Sequence, residues 1–193
     1  DTATGKATHV FTYPDKAQII GIYTLQAEHN EPAQPQDVSL DFEGGSLNGT
    51  LSFTMPTENA DGKTLADEAL NYELAIDIND KTAGTAAPGE KVELPLQFDE
   101  DGSHMFSLTT SNAAGASEAV NITRYIGFDT PKAVTDVKIS KEGEGQVTLT
   151  WTLPETGVND GYIDYGNASY RIVRQPDNTV VDEDFTGTTF TET

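Results

Sequence analysis

The chain has 193 residues and carries 32 Asp and Glu against 11 Lys and Arg, a formal net charge of −21. That balance excludes nucleic acid and direct insertion into or adsorption on an anionic membrane, because both need Lys and Arg to neutralise phosphate. Cysteine is absent, so there is neither a disulfide framework nor thiolate chemistry, and no apolar run reaches the length that spans a bilayer.

Taken in order, two strand-like runs open the chain, Thr8–Tyr13 and Ile19–Ala27. Further strands are predicted near 37–43, 49–55, 70–78, 81–85, 91–98, 104–111 and 118–126. The reason is period-two alternation, which puts one face in a core and the other in water. Leu51, Phe53 and Met55 alternate with polar residues, as do Leu70, Tyr72, Leu74, Ile76 and Ile78, then Val92, Leu94, Leu96 and Phe98. After Pro131 the pattern resumes with Val147, Leu149, Trp151 and Leu153. Glu43-Gly44-Gly45, Asn59-Ala60-Asp61-Gly62, Pro88-Gly89, Asp101-Gly102 and Asn159-Asp160-Gly161 punctuate the gaps. Short alternating strands between such turns indicate an all-β sandwich.

The strands also recur. Asp37, Phe53, Asp61 and Tyr72 return as Asp136, Trp151, Asp160 and Tyr170, at separations of 98 or 99 residues. A constant period marks tandem units. We therefore divide the chain into an N-terminal β segment (1–32), a first block (33–131) and a second block (132–193). The first segment reads as the end of a preceding unit. Phe53, Tyr72, Phe106, Leu108, Trp151 and Tyr170 are the expected core landmarks. The second block has no counterpart of the last two strands of the first. Either it is cut short, or another molecule completes it in a strand-exchanged dimer. Ile22-Tyr23-Thr24-Leu25 resembles the late strand Met105-Phe106-Ser107-Leu108. Completion within one chain is awkward, because Asn30–Gln34 reaches at most about 18 Å and a sandwich is about 35 Å long.

Both blocks resemble fibronectin type III modules. In the second, Pro131, Val147-Thr148-Leu149-Thr150-Trp151, Pro154 and Tyr170-Arg171-Ile172-Val173 match the family's opening proline, its Leu-x-Trp strand, the proline after it and the Tyr-x-Ile/Val strand. The first block carries Phe53 at the Trp position, then Phe106-Ser107-Leu108 and Asn112-Ala113-Ala114-Gly115-Ala116-Ser117. Tyr125–Pro131 and Gly157–Asp164 are similar to tandem modules of Bacteroidetes surface proteins. The resemblance implies tandem immunoglobulin-like β-sandwiches, export to the cell surface or medium, sometimes with a lipoprotein anchor, and a role as spacer or binding unit. No Arg-Gly-Asp follows Asn112, so integrin-type binding is not implied.

Catalytic chemistry has little to stand on. His9, His29 and His104 are the only histidines, Ser103 points away from His104 on a strand, and neither a Gly-x-Ser-x-Gly elbow nor a His-Glu-x-x-His motif occurs. We expect no enzyme and no catalytic residue. We expect no cofactor either, calcium being the sharper exception. Residues 57–68 place Asn59, Asp61 and Glu68 at positions 3, 5 and 12 of a calcium loop; the plainer alternative is a polar turn. Tyr162 and Tyr165 sit in a loop and are candidates for stacking on a sugar ring, against simple loop packing. Asn48-Gly49-Thr50, Asn121-Ile122-Thr123 and Asn167-Ala168-Ser169 are glycosylation sequons, and Asp1-Thr2-Ala3 resembles the O-glycosylation signal of Bacteroidetes.

The first expectation for function is a non-catalytic surface or secreted binding or spacer module, working in adhesion. Its partner would be a host or bacterial surface protein or a glycan. Two alternatives stand beside it: an accessory module of a multidomain secreted hydrolase, and a calcium-stabilised structural module.

Overall fold

The computed structural model describes residues 29–141, 143 and 145–193. The strand-like runs Thr8–Tyr13 and Ile19–Ala27, the Asp1-Thr2-Ala3 motif, His9 and almost all of the 1–32 segment lie outside the described residues. No helix long and apolar enough to cross a membrane occurs among those described.

The first block builds two antiparallel sheets. One has the order β1(Gln36–Asp41), β2(Asn48–Thr54), β5(Lys91–Gln97). The other has the order β4(Asp80–Ala86), β3(Leu70–Ile76), β6(Gly102–Asn112), with the short β7(Gly115–Ala116) and β8(Val120–Ile126) both pairing with β6. Alternation decides what lies between them. Leu51, Phe53, Met55 and Leu96 come from the first sheet, and Leu70, Leu74, Ala86, Phe106 and Leu108 from the second, and all are buried in one cluster. A large side chain buried in this way contributes about 1.5–3 kcal/mol. Arg124 on β8 ties the sheets at their flank. Its guanidinium donates to the Leu40 carbonyl and lies 5.6 Å over the Phe42 ring.

The second block repeats the scheme. β9(Thr135–Lys141), β10(Val147–Thr152) and β13(Thr189–Glu192) form one sheet, in the order β13-β10-β9, and β11(Tyr170–Arg174) pairs with β12(Thr179–Phe185). Fine details recur along with the strands. Phe53 meets Tyr72 edge-on at 5.4 Å and 73°, and Trp151 meets Tyr170 at 5.6 Å and 67°. The β1–β2 ladder is irregular beside Asp37 (φ 50°) and the β9–β10 ladder beside Asp136 (φ 51°). Asp tolerates that left-handed backbone better than most residues.

Two expectations change. The strand predicted to run through Ile78 stops at Ile76, because Asp77 (φ 48°) and Ile78 (φ 75°) turn the chain into β4. Ile78 is left 71% exposed rather than in the core. The landmarks Trp151 and Tyr170 also line a much thinner interior than their counterparts. In the second block Trp151 and Ile163 are buried, while Val137, Ile139, Val147 and Val173 are exposed. The positions that β6 and β8 occupy in the first block have no strand there among the described residues. Phe106 and Leu108 of β6 fill the first core, and among the described residues no strand supplies their equivalents to the second.

Candidate functional site

The most elaborate polar arrangement sits where one block hands over to the next. β8 ends at Ile126, and Gly127 (φ 87°) turns the chain outward. The Asp101 carboxylate caps that turn by accepting the Phe128 N–H at 3.0 Å. The following residue, Asp129, is only 7% exposed. Its Oδ1 accepts the Thr130 N–H at 2.7 Å and the Asn159 side-chain amide at 2.9 Å. Its Oδ2 accepts the Asn159 N–H at 2.7 Å and the Gly161 N–H at 3.0 Å. Burial alone would push this carboxyl's pKa up. The donated hydrogen bonds from Asn159, Gly161 and Thr130 outweigh burial and hold it below its ordinary value.

Three of the four donors belong to the loop after β10, so a carboxylate on the tail of the first block organises a loop of the second. Glycine makes the approach feasible. A Cβ on Gly157 would stand 2.3 Å from the Asp129 carboxyl carbon, and one on Gly161 would stand 2.6 Å from the Tyr125 ring and 2.8 Å from the Asp129 Cβ. Backbone contacts lock the same surfaces, with Asp129 N–H to the Tyr162 carbonyl at 2.8 Å and Val158 N–H to the Thr130 carbonyl at 2.9 Å. Lys132 adds an ion pair to Asp160 at 2.5 Å and holds that carboxyl below its usual range. Around the polar centre, the Phe128 and Tyr162 rings meet at 5.9 Å and lie over Gly45 and Gly44 of the β1–β2 turn.

Tyr162 therefore belongs to this joint, although 46% of it stays exposed beside a half-exposed Phe128. Tyr165 does something different: its hydroxyl donates to the Pro154 carbonyl, and burial raises its pKa. The structure does not bring the two tyrosines together as one platform. A groove of about 640 Å³ lined by Asp41, Glu43, Gly44, Ser46, Asn48, Gly49 and Thr50 includes Gly44, on which Tyr162 rests.

The calcium-loop residues are dispersed in role. Asn59 is buried, and its carboxamide oxygen accepts the N–H groups of Asp61 and Lys63 at 3.1 and 2.8 Å. Asp61 accepts the His29 N–H at 2.9 Å, while Glu68 is exposed. No group of three His, Asp or Glu side chains that could hold a metal ion occurs among the described residues. His104 is held between a carboxylate and an aromatic ring. Nδ1 lies 2.6 Å from the Asp77 carboxylate, Nε2 is buried without a hydrogen-bond partner, and the ring rests 4.1 Å from Phe98.

Sequence reasoning passed over Asp129. The signal was present in Asp129-Thr130-Pro131 at the block boundary and in Gly157-x-Asn159-x-Gly161, but without coordinates nothing joins two such stretches.

The fold is all-β, two blocks of antiparallel sheets in tandem along the chain. Among solved structures, the chain is similar to the FN1–FN3 domains of chicken CNTN1, at 12% identity and TM-score 0.38, covering 87% of this chain and 58% of that one. It is also similar to a two-domain fibronectin type III segment of chicken tenascin, at 17% identity and TM-score 0.35, covering 82% of each chain. The chain thus spans little more than half of the CNTN1 segment. No family model matches it, and no curated protein matches it in sequence.

Proposed function

We propose that this chain is a non-catalytic spacer and binding module of an exported surface protein, working in adhesion. The observation that carries the reading is the Asp129 joint. Four hydrogen bonds to one buried carboxylate, with flanking backbone contacts, suit a connection whose job is to hold two sandwiches in a fixed relation. Such a scaffold presents loops and sheet edges to a surface protein or glycan, and rigid elements are where binding loops work best. The net charge of −21 keeps so exposed a surface soluble. Export, with or without a lipoprotein anchor, and an origin among Bacteroidetes-type surface proteins follow from the resemblance of the module sequences.

The test combines small-angle scattering and residual dipolar couplings on the full chain. One alignment tensor for both blocks is expected, and two independent tensors would sink the spacer reading. Binding to arrays of extracellular-matrix proteins and glycans then tests adhesion, for which silence on every array counts against it.

A second reading is favoured by the half-exposed Phe128–Tyr162 pair next to the polar groove. Aromatic faces bordering polar side chains suit a pyranose ring, which fits an accessory module of a secreted hydrolase. Binding on the glycan array that Tyr162→Ala abolishes supports this reading, and binding unchanged by that substitution removes it.

A further inference from the structure

The aromatic ridge at the joint does not stand alone. Phe128 is 50% and Tyr162 46% exposed, and their rings rest on Gly45 and Gly44 in the turn between β1 and β2. Gly44 is also part of the wall of the polar groove of about 640 Å³. That volume falls inside the roughly 300–1,000 Å³ typical of small-ligand sites. Ridge and groove therefore adjoin, although Tyr162 belongs to the second block and the groove to the first.

The groove wall supplies polar groups that the fold does not use. Ser46 is spent on the turn itself, its hydroxyl donating to the Asn48 carbonyl at 2.8 Å and accepting the Asn48 N–H at 3.0 Å. Asp41, Glu43 and Asn48 are exposed, and among the described residues their side chains have no hydrogen-bond or ion-pair partner. Two carboxylates are strong acceptors for hydroxyl groups, and a carboxamide both donates and accepts. No Lys, Arg or His lines the groove among the described residues. With a net charge of −21 behind it, such a groove repels anions. The aromatic face beside it, negative at its centre, suits the C–H face of a pyranose ring.

We propose that a neutral oligosaccharide of at least two rings lies across the seam between the blocks. One ring stacks on Tyr162. The next lies in the groove, its hydroxyls donating to the Asp41 and Glu43 carboxylates and exchanging hydrogen bonds with the Asn48 carboxamide. This assignment rests on the accessory-module reading above and adds to it a length, a charge class and a second contact surface. Uronates and sulfated sugars are rejected by the two carboxylates, and a single ring fills only one half of the site.

The test titrates the full chain with cello-, malto-, xylo- and manno-oligosaccharides of one to four rings, and with oligogalacturonates of the same lengths, following amide chemical shifts. At least one neutral series is expected to bind, about tenfold more tightly at two rings than at one, the scale of one added charge-assisted hydrogen bond. Shifts are expected on both sides of the seam, at Asn48–Thr50 and at Tyr162. Oligogalacturonates are expected to bind at least about tenfold more weakly, and Asp41→Asn/Glu43→Gln to narrow that gap. Asn48→Ala is expected to weaken two-ring binding about tenfold and to leave one-ring binding unchanged. Binding that Tyr162→Ala abolishes but the groove variants leave untouched overturns the two-ring site and leaves the accessory-module reading standing. Shifts confined to one block, or tighter binding of oligogalacturonates, overturn it as well. So does failure of all four neutral series alongside a hit elsewhere on the glycan array, whereas silence across the whole array removes the accessory-module reading too.

Discussion

At the scale of single residues, Asp129 carries more of the joint than any other side chain. Removing it as Asp129→Ala strands the Asn159 and Gly161 N–H groups in a buried setting, and an unsatisfied buried donor costs about 1–3 kcal/mol. We expect the second block's urea midpoint to fall accordingly, the first block's midpoint to stay, and the shared alignment tensor to split. Gly157→Ala should do the same by steric means, since its Cβ would stand 2.3 Å from the carboxyl carbon it must face. The pH dependence has a definite sign. The folded pKa of Asp129 is depressed below 3.8, so its contribution is complete above that value and lost as pH falls through the lower folded one. Scattering profiles at pH 7 and pH 5 should therefore superimpose, and any loosening from this group should begin only below about pH 4. Loosening near pH 6 would point to a group other than Asp129.

At the scale of elements, the repeat supplies its own control. Leu74 on β3 is fully buried between the sheets beside Leu108 of β6, while its counterpart Ile172 on β11 lines a cleft. Leu74→Ala should cost about 2–5 kcal/mol, the usual range for a buried aliphatic side chain. Ile172→Ala should cost distinctly less in any monomeric state, as read by chemical denaturation of each variant. In that state hydrogen exchange should show the amides of β10 and β11 opening before those of β2 and β3. The strands were legible in the sequence. Every one expected in the first block appears within two residues of its predicted ends, because alternating burial is a local signal. Ile78 escaped the pattern because turn geometry, with two successive positive φ angles, overrode an apolar side chain. The Phe53/Trp151 and Tyr72/Tyr170 pairs were readable because one core position repeats. The Asp129 cluster was not, since its partners are 30 and 32 residues away and gain meaning only when two modules meet. The loop at Asn59–Glu68 could be read two ways in sequence. Its carboxamide oxygen turns out to be engaged by its own backbone, which is the chemistry of a turn.

At the scale of the whole molecule, the charge and the joint set the behaviour in solution. With Asn59 occupied by backbone N–H groups and no cluster of acidic ligands among the described residues, melting curves in excess calcium and in chelator should coincide. A ligand specific to the native state would separate them. The joint has one consequence beyond this chain. Its acceptor lies on the departing tail of one sandwich and its glycine-spaced donors on the arriving loop of the next, so lock and keyhole come from different modules. A transplant of the joint onto other β-sandwiches would have to carry Asp101, Tyr125 and Lys132 as well as Phe128–Pro131 and Gly157–Tyr162, because each of them touches the seam.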